Sequence, residues 1–287
     1  MKVVDSQHFE SLSPLFRGTL GHRLAEAAMR LLAIDKVNQV YHNSGQFTGA
    51  AFTQGLLNDL GVNYLIGHAE RLKALPQGPF ITIANHPYGG LDGVILVDLM
   101  AGIRPDYKLM VNEMLSRVKT LSDNFISVTP TGNFKKGISA ASLHGIRKTL
   151  AHIREGHPAG FFPSGAVSDL SLRDLRVRDR KWQDSVLHLI HRVKVPILPI
   201  RFFDGNSPYY YLLGLLNWRI RVLRVPSELF NKRNQVTRVG VGQIISVEEQ
   251  DQFPDPASFG VHLRKMVYEM ALPGSFTPRS DLEKLLK

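Results

Sequence analysis

The chain has 287 residues, 44% of them hydrophobic and 21% charged, the balance of a globular protein long enough to bury a large core. It has no cysteine, which excludes disulfides, thiolate-held metals and a thiol nucleophile. The formal net charge of +10 points to an anionic partner, either nucleic acid or the headgroup surface of a membrane.

The N-terminal run MKVVDSQHFESLSPLFRG carries Asp5 and Glu10 early and lacks the apolar stretch of a signal peptide. No stretch approaches the ~20 apolar residues of a spanning helix. Residues 20–60 read as helical: Leu24, Ala27, Ala28, Leu31, Leu32 and Ile34 recur at a loose helical period. AFTQGLLNDLGV predicts a further helix that stops at Gly61. Six strand-like runs follow: VNYLIG (62–67), PFITIAN (79–85), DYKLMV (106–111), NFISVT (124–129), AGFFP (159–163) and VPILPIRFF (195–203). Helical patterns lie between several of them. Leu143, Ile146, Leu150 and Ile153 share one face in 140–155, as do Val186, Leu187, Ile190 and Val193 in 183–193. Strands alternating with helices predict an α/β fold, a largely parallel central sheet flanked by helices. No repeat or linker divides it, so residues 1–60 are expected to form a helical N-terminal extension on one α/β domain, 61–287. Between Ser171 and Arg238, fourteen Lys and Arg stand against five Asp and Glu, which places most of the excess charge there. The plain reading of such a block is a solvated basic face.

In α/β sheets, sites gather beyond the carboxyl ends of the strands. His86 lies there after FITIAN, and Ser164 after GFFP. A neutral histidine can take a proton at neutral pH if one ring nitrogen is free and an acceptor such as a carboxylate holds the other. His86 and Asp92 are six residues apart, about 240° around a continuous helix, so the chain must fold back between them. Pro87 would stiffen that turn, and Gly89 and Gly90 would allow positive φ. Asp92 is equally placed to cap the helix begun by DGVILVDLM.

NHPYGGLDG resembles the His-and-Asp signature of the phospholipid/glycerol (lysophospholipid) acyltransferase family, although five residues, not the usual four, separate the pair. FPSGAVS (162–168) resembles the block F-P-E-G-T-R-S, VPILPIRF (195–202) the late proline-containing strand, and NFISVT lies where the second block falls. The longer pattern from DRKWQDSVLHLI onward is similar to a bacterial, hemolysin-like or ornithine/glycine-lipid acyltransferase branch. The resemblance covers roughly residues 60–245. It implies an O-acyltransferase with no bound cofactor or metal, in which His86 is the base and Asp92 orients it. It also implies a thioester donor (acyl carrier protein or coenzyme A), a lyso-lipid acceptor and peripheral residence on the cytoplasmic face of the inner membrane. Asn85, Pro163, Ser164 and Gly165 come with the motifs as substrate-binding candidates, and backbone N–H groups near Gly165 as oxyanion donors.

The departures bear on the acceptor. Where most members carry phosphate-binding Glu and Arg, this chain has Ser164 and Val167, and Val128 or Thr129 stands where the second block has Arg. A phosphate without its guanidinium loses a charge-assisted contact. That favours a lyso-aminolipid over lysophosphatidic acid, the alternative acceptor. Lys135 and Lys136 could compensate, and Arg201 could meet an amino acid carboxylate. Ser164 as a hydrolase nucleophile lacks the G-x-S-x-G elbow. NSPYYYLLGLLNWRIRVLRVP (206–226) combines Tyr209, Tyr210 and Trp218 with Arg219, Arg221 and Arg224, which suggests either a helix lying at the membrane interface or a buried one lining an acyl pocket. A basic nucleic-acid-binding module is the alternative of another class, but no nucleic-acid motif is present and such a module has no need of NHPYGGLDG.

Overall fold

The structure is a computed structural model that describes residues 4, 5, 10, 13–128 and 140–287. Among the described residues, a short 3-10 turn (Pro14–Phe16) leads into the helices α1 (Gly18–Leu31), α2 (Ile34–Ser44) and α3 (Gly49–Leu60), the last ending at Gly61 as its sequence predicts. The strand-and-helix series then runs β1 (Leu65–Gly67), β2 (Ile81–Ala84), α4 (Gly90–Ala101), β3 (Lys108–Asn112), β4 (Phe125–Val128), α5 (Ala140–Arg154) and β5 (Ala159–Phe161). A hairpin of β6 (Asp169–Ser171) and β7 (Arg176–Arg178) precedes α6 (Asp184–Val193) and β8 (Ile197–Phe202). After α7 (Pro208–Leu216) and α8 (Trp218–Phe230) come β9 (Arg238–Val241), α9 (Val247–Gln250), α10 (Pro256–Tyr268), β10 (Phe276–Pro278) and α11 (Leu282–Leu286).

The main sheet has the order β10-β1-β9-β8-β2-β5-β3-β4. The five strands from β8 to β4 are parallel, and only β8–β9 and β1–β10 pair antiparallel. The expected α/β class and largely parallel sheet are therefore present, with the helical N-terminal segment. All six strand-like runs became strands. All four residues of β2 are buried, as a parallel strand covered on both faces must be. Its side chains alternate between two cores. Ile81 and Ile83 join Phe161, Ile190, Phe259 and Leu263 on one face, while Ala84 joins Leu96, Leu99, Ile200 and Phe202 on the other. α3 gives Phe52, Leu57 and Leu60 to that second core and so packs against α4. This puts the carboxyl end of β2, and the turn after it, at the middle of the sheet between β8 and β5. Among the described residues no helix is long and apolar enough to cross a membrane.

Candidate active site

β2 ends in Asn85, and the chain reverses over Pro87 and Tyr88 before α4 starts at Gly90. Only Gly89 of the two glycines takes a positive φ, +88°. A Cβ there would be strained and would sit 3.2 Å from Val167 Cγ2 and 3.7 Å from Val225 Cγ1, so the turn closes only on glycine. The reversal brings His86 Nδ1 to 2.7 Å from Asp92 Oδ2. The contact is within ion-pair distance but not in straight hydrogen-bond alignment, and Asp92 Oδ1 has no partner. Asp92 is the third residue of α4, not its cap. Its Oδ2 reaches back to accept the N–H groups of Gly89 (2.9 Å) and Tyr88 (3.0 Å). One carboxylate thus fixes both the turn and the ring. Burial is complete and raises the Asp92 carboxyl above its usual range, while the bonds from His86, Gly89 and Tyr88 work the other way. The imidazole stacks on Phe162, with centroids 4.0 Å apart, and its side chain is 17% exposed. With Nδ1 held, Nε2 is the nitrogen left for substrate.

A second carboxylate, with no role assigned from the sequence, grips the histidine's backbone. Asp179 follows β7, and the hairpin returns it to the turn, where Oδ1 accepts the His86 N–H (3.1 Å) and the Ser168 hydroxyl (2.6 Å). Oδ2 accepts the indole N–H of Trp182 at 3.1 Å. Ser168 N–H in turn donates to the His86 carbonyl at 2.9 Å. Asp179 is held by its own backbone: its N–H donates to Tyr268 Oη and its carbonyl accepts from Arg264 Nη2. The pattern DRKWQDS contains Asp179 and Trp182, but only the hairpin's return makes them neighbours of residue 86.

The other sequence candidates divide sharply. Asn85 holds the sheet instead of substrate, since its amide exchanges both hydrogen bonds with the Phe202 backbone (2.9 and 2.7 Å). Pro163 is buried and gives its carbonyl to Gln183 N–H. Ser164 is a turn former: its hydroxyl donates to the Ala166 carbonyl at 2.7 Å, which leaves no activated nucleophile. The N–H of Gly165 is bonded to the Phe162 carbonyl and that of Ala166 to Ser164 Oγ, so neither is free as an oxyanion donor. Arg201 Nη1 donates to the carbonyls of Tyr268 (2.5 Å) and Met270 (2.6 Å), and the guanidinium stacks on Phe203. Lys135 and Lys136 lie outside the described residues.

The membrane-interface set also splits. Tyr210 is fully buried, and Arg221 is 4% exposed, ion-paired with Asp169 and bonded to the carbonyls of Ser168 and Val167. Neither reaches a headgroup: Arg221 is bonded to the strap that follows β5 (residues 163–168) and to Asp169 beyond it, and the Tyr210 ring lies against the Arg221 guanidinium and Tyr211. Tyr209, Trp218 and Arg219 are exposed and Arg224 is half-buried. Around them Leu212, Leu215, Leu216, Ile220, Val222 and Leu223 are exposed too, which leaves one apolar surface on α7 and α8. Seven of the fourteen basic residues counted between 171 and 238 are in ion pairs (Arg178, Arg180, Lys181, Lys194, Arg221, Lys232 and Arg238), so much of the block's charge is answered internally.

A cavity of about 730 Å³ opens beside the histidine turn, walled by Asn85, Pro87, Arg176, Arg201, Tyr211 and Arg264. Tyr211 Oη donates to the Pro87 carbonyl and Asn206 Nδ2 to that of Tyr88, so the cavity wall is tied to the turn. Among the described residues no cluster of His, Asp and Glu could hold a metal ion. The arrangement offers a carboxylate-held imidazole whose chain neighbours on either side, Asn85 and Pro87, wall a cavity sized for a small molecule or a chain end.

The model of a family described as acyltransferase matches residues 15–268. A lyso-glycine lipid O-acyltransferase of Bacteroides thetaiotaomicron is 23% identical over 244 residues, 82% of this chain and 85% of that one. A protein of the same name from Phocaeicola vulgatus is 21% identical over 244 residues, 82% and 83% of the two chains. Among solved structures, the 1-acyl-sn-glycerophosphate (LPA) acyltransferase PlsC from Thermotoga maritima is 12% identical with a TM-score of 0.49, covering 82% of this chain and 77% of that one.

Proposed function

We propose that this chain, which belongs to the acyltransferase family, moves a fatty acyl group from a thioester carrier to the hydroxyl of a lyso-lipid, most plainly a lyso-aminolipid. The observation that carries the reading is the His86–Asp92 pair, held in a glycine-closed turn beside a cavity. His86 Nε2 takes the proton of the acceptor hydroxyl as its oxygen attacks the thioester carbonyl. Asp92 holds Nδ1 and offsets the imidazolium charge that forms. When the tetrahedral intermediate collapses, the C–S bond breaks and the imidazolium returns its proton to the leaving thiolate. The products are an ester and a free thiol, and no residue of the chain becomes acylated. The donor, an acyl carrier protein or coenzyme A thioester, would use the arginine-walled cavity. The chain would sit peripherally on the cytoplasmic face of the inner membrane, with the apolar surface of α7 and α8 turned to lipid. Residues 1–60 would then serve as a helical extension of the acyltransferase domain.

Two observations support an aminolipid acceptor over lysophosphatidic acid: the names of the two curated relatives, and uncharged Ser164 and Val167 in the strap beside the turn. The test is turnover of purified protein with one acyl thioester and two acceptors, an N-(3-hydroxyacyl)glycine and lysophosphatidic acid. A higher kcat/KM for the first, abolished in His86→Ala, is the expected result. Preference for lysophosphatidic acid would overturn the acceptor, and an active His86→Ala protein would overturn the mechanism.

A further inference from the structure

Arg224 stands out among the basic residues near the site. It lies on α8, one residue before Val225, whose methyl groups lie against Gly89 in the histidine turn. It is half-buried, and its Nε is shut off from solvent with no hydrogen-bond acceptor. Among the described residues no carboxylate pairs with it. Glu228, one helical turn on, is engaged by Ser207, Asn231 and Lys232, and Asp169 is taken by Arg221 and Arg180. Its guanidinium rests 5.5 Å from the centroid of the exposed Tyr209 ring, which fixes it at the rim of the apolar surface formed by α7 and α8. A guanidinium held by stacking, partly stripped of water and without a counter-charge gains most from a planar anionic group that accepts two N–H bonds. A ligand lying with its acyl chain on the neighbouring leucines would deliver such a group there.

We infer that Arg224 is the recognition point for the anionic headgroup of the acceptor lipid, a carboxylate where the acceptor is an acylated amino acid. The inference rests on the lipid-acceptor reading above and deepens it. It assigns to one side chain the charge recognition that Ser164 and Val167 cannot provide and that Arg201, with Nη1 spent on two backbone carbonyls, is less free to give.

The test is equilibrium binding, so it does not depend on turnover. N-dodecanoylglycine and its methyl ester, both below their micelle concentrations, are titrated into the wild-type protein, Arg224→Gln, Arg224→Lys and His86→Ala, each checked for an unchanged melting temperature. Wild type and His86→Ala should bind the acid at least tenfold more tightly than the ester. Arg224→Gln should lose that ratio while binding the ester within twofold of wild type, and Arg224→Lys should keep part of it. A ratio retained in Arg224→Gln overturns the inference. So does a retained ratio accompanied by weaker binding to phosphatidylglycerol vesicles, which would assign Arg224 to bulk membrane phosphate. Transfer activity persisting in His86→Ala would overturn the catalytic base without touching the Arg224 result.

Discussion

Asp179 Oδ1 accepts the backbone N–H of His86 at 3.1 Å, although the two residues are 93 positions apart in the chain. The same carboxylate satisfies the Ser168 hydroxyl and the Trp182 indole, so removing it strands three donors in a buried place. Each such loss costs roughly 1–3 kcal/mol. Asp179→Ala should therefore lower the melting temperature by several degrees and reduce kcat at least tenfold, through a loosened histidine backbone. Thermal melting beside steady-state kinetics checks this. An Asp179→Ala protein with wild-type kcat would show that the histidine turn holds itself.

The ring of the same histidine depends on a different carboxylate. Replacing Asp92 by Asn leaves an acceptor for the Gly89 and Tyr88 N–H groups but removes the charge that sets the His86 tautomer. The expected loss in kcat is on the order of 10⁴-fold, the size seen when a catalytic histidine loses its orienting carboxylate. His86→Ala should abolish transfer with little change in melting temperature, since the ring's main packing contact is Phe162.

Stability should move the opposite way at Asp92. Burial raises its native pKa, so the folded state keeps this proton at a pH where the unfolded chain has released it. The contribution favours folding at low pH and is lost as pH rises through the raised native value. Asn carries no such charge. Asp92→Asn should thus melt higher than wild type at pH 7. The gap should close as the pH is lowered. A melting series from pH 7 down to pH 4 tests the sign.

Membrane attachment is expected to follow the apolar surface of α7 and α8 and not its buried arginine. Leu215, Leu216 and Trp218 changed together to Ser should weaken vesicle pelleting at least tenfold while leaving the melting temperature near wild type, because all three are exposed. Arg221→Gln should instead destabilise the fold, by breaking the ion pair to Asp169 and the bonds to the 167–168 carbonyls. Pelleting unchanged in the Leu215, Leu216 and Trp218 variant would reject this surface as the docking face.

The parts of the site that lie close in sequence were legible from it. His86, the glycine turn and Asp92 form one continuous run whose reversal is forced by helix geometry. The six strand-like runs were legible for the same reason, down to the three-residue β1 and β5, since each strand sits inside a longer apolar stretch of sequence. β9 (RVGV) is interrupted by Arg238 and Gly240 and β10 is only Phe-Thr-Pro, so neither reads as an apolar run, and the antiparallel pairing they bring was not visible. Asp179 was hidden because its partner is set by the hairpin's return. Arg219 and Arg221 read alike in sequence, yet two residues on a helix lie 200° apart, so one meets water and the other the strap beside the turn. Asn85 and Ser164 sit in the motifs but spend their polar atoms on Phe202 and Ala166, a fate that depends on backbone positions no motif records.

The long reach of these clamps sets a timetable for the site. The His86 turn leaves the ribosome early, but Asp179, Phe202 and Tyr268, which hold it or hold its holders, emerge later. At about 5–20 residues per second the chain needs roughly 10–40 s to travel from the histidine to Tyr268. Throughout that interval the histidine exists as a residue without existing as a geometry. A nascent or prematurely terminated chain, although it already carries His86 and Asp92, therefore lacks the long-range clamps that align the pair.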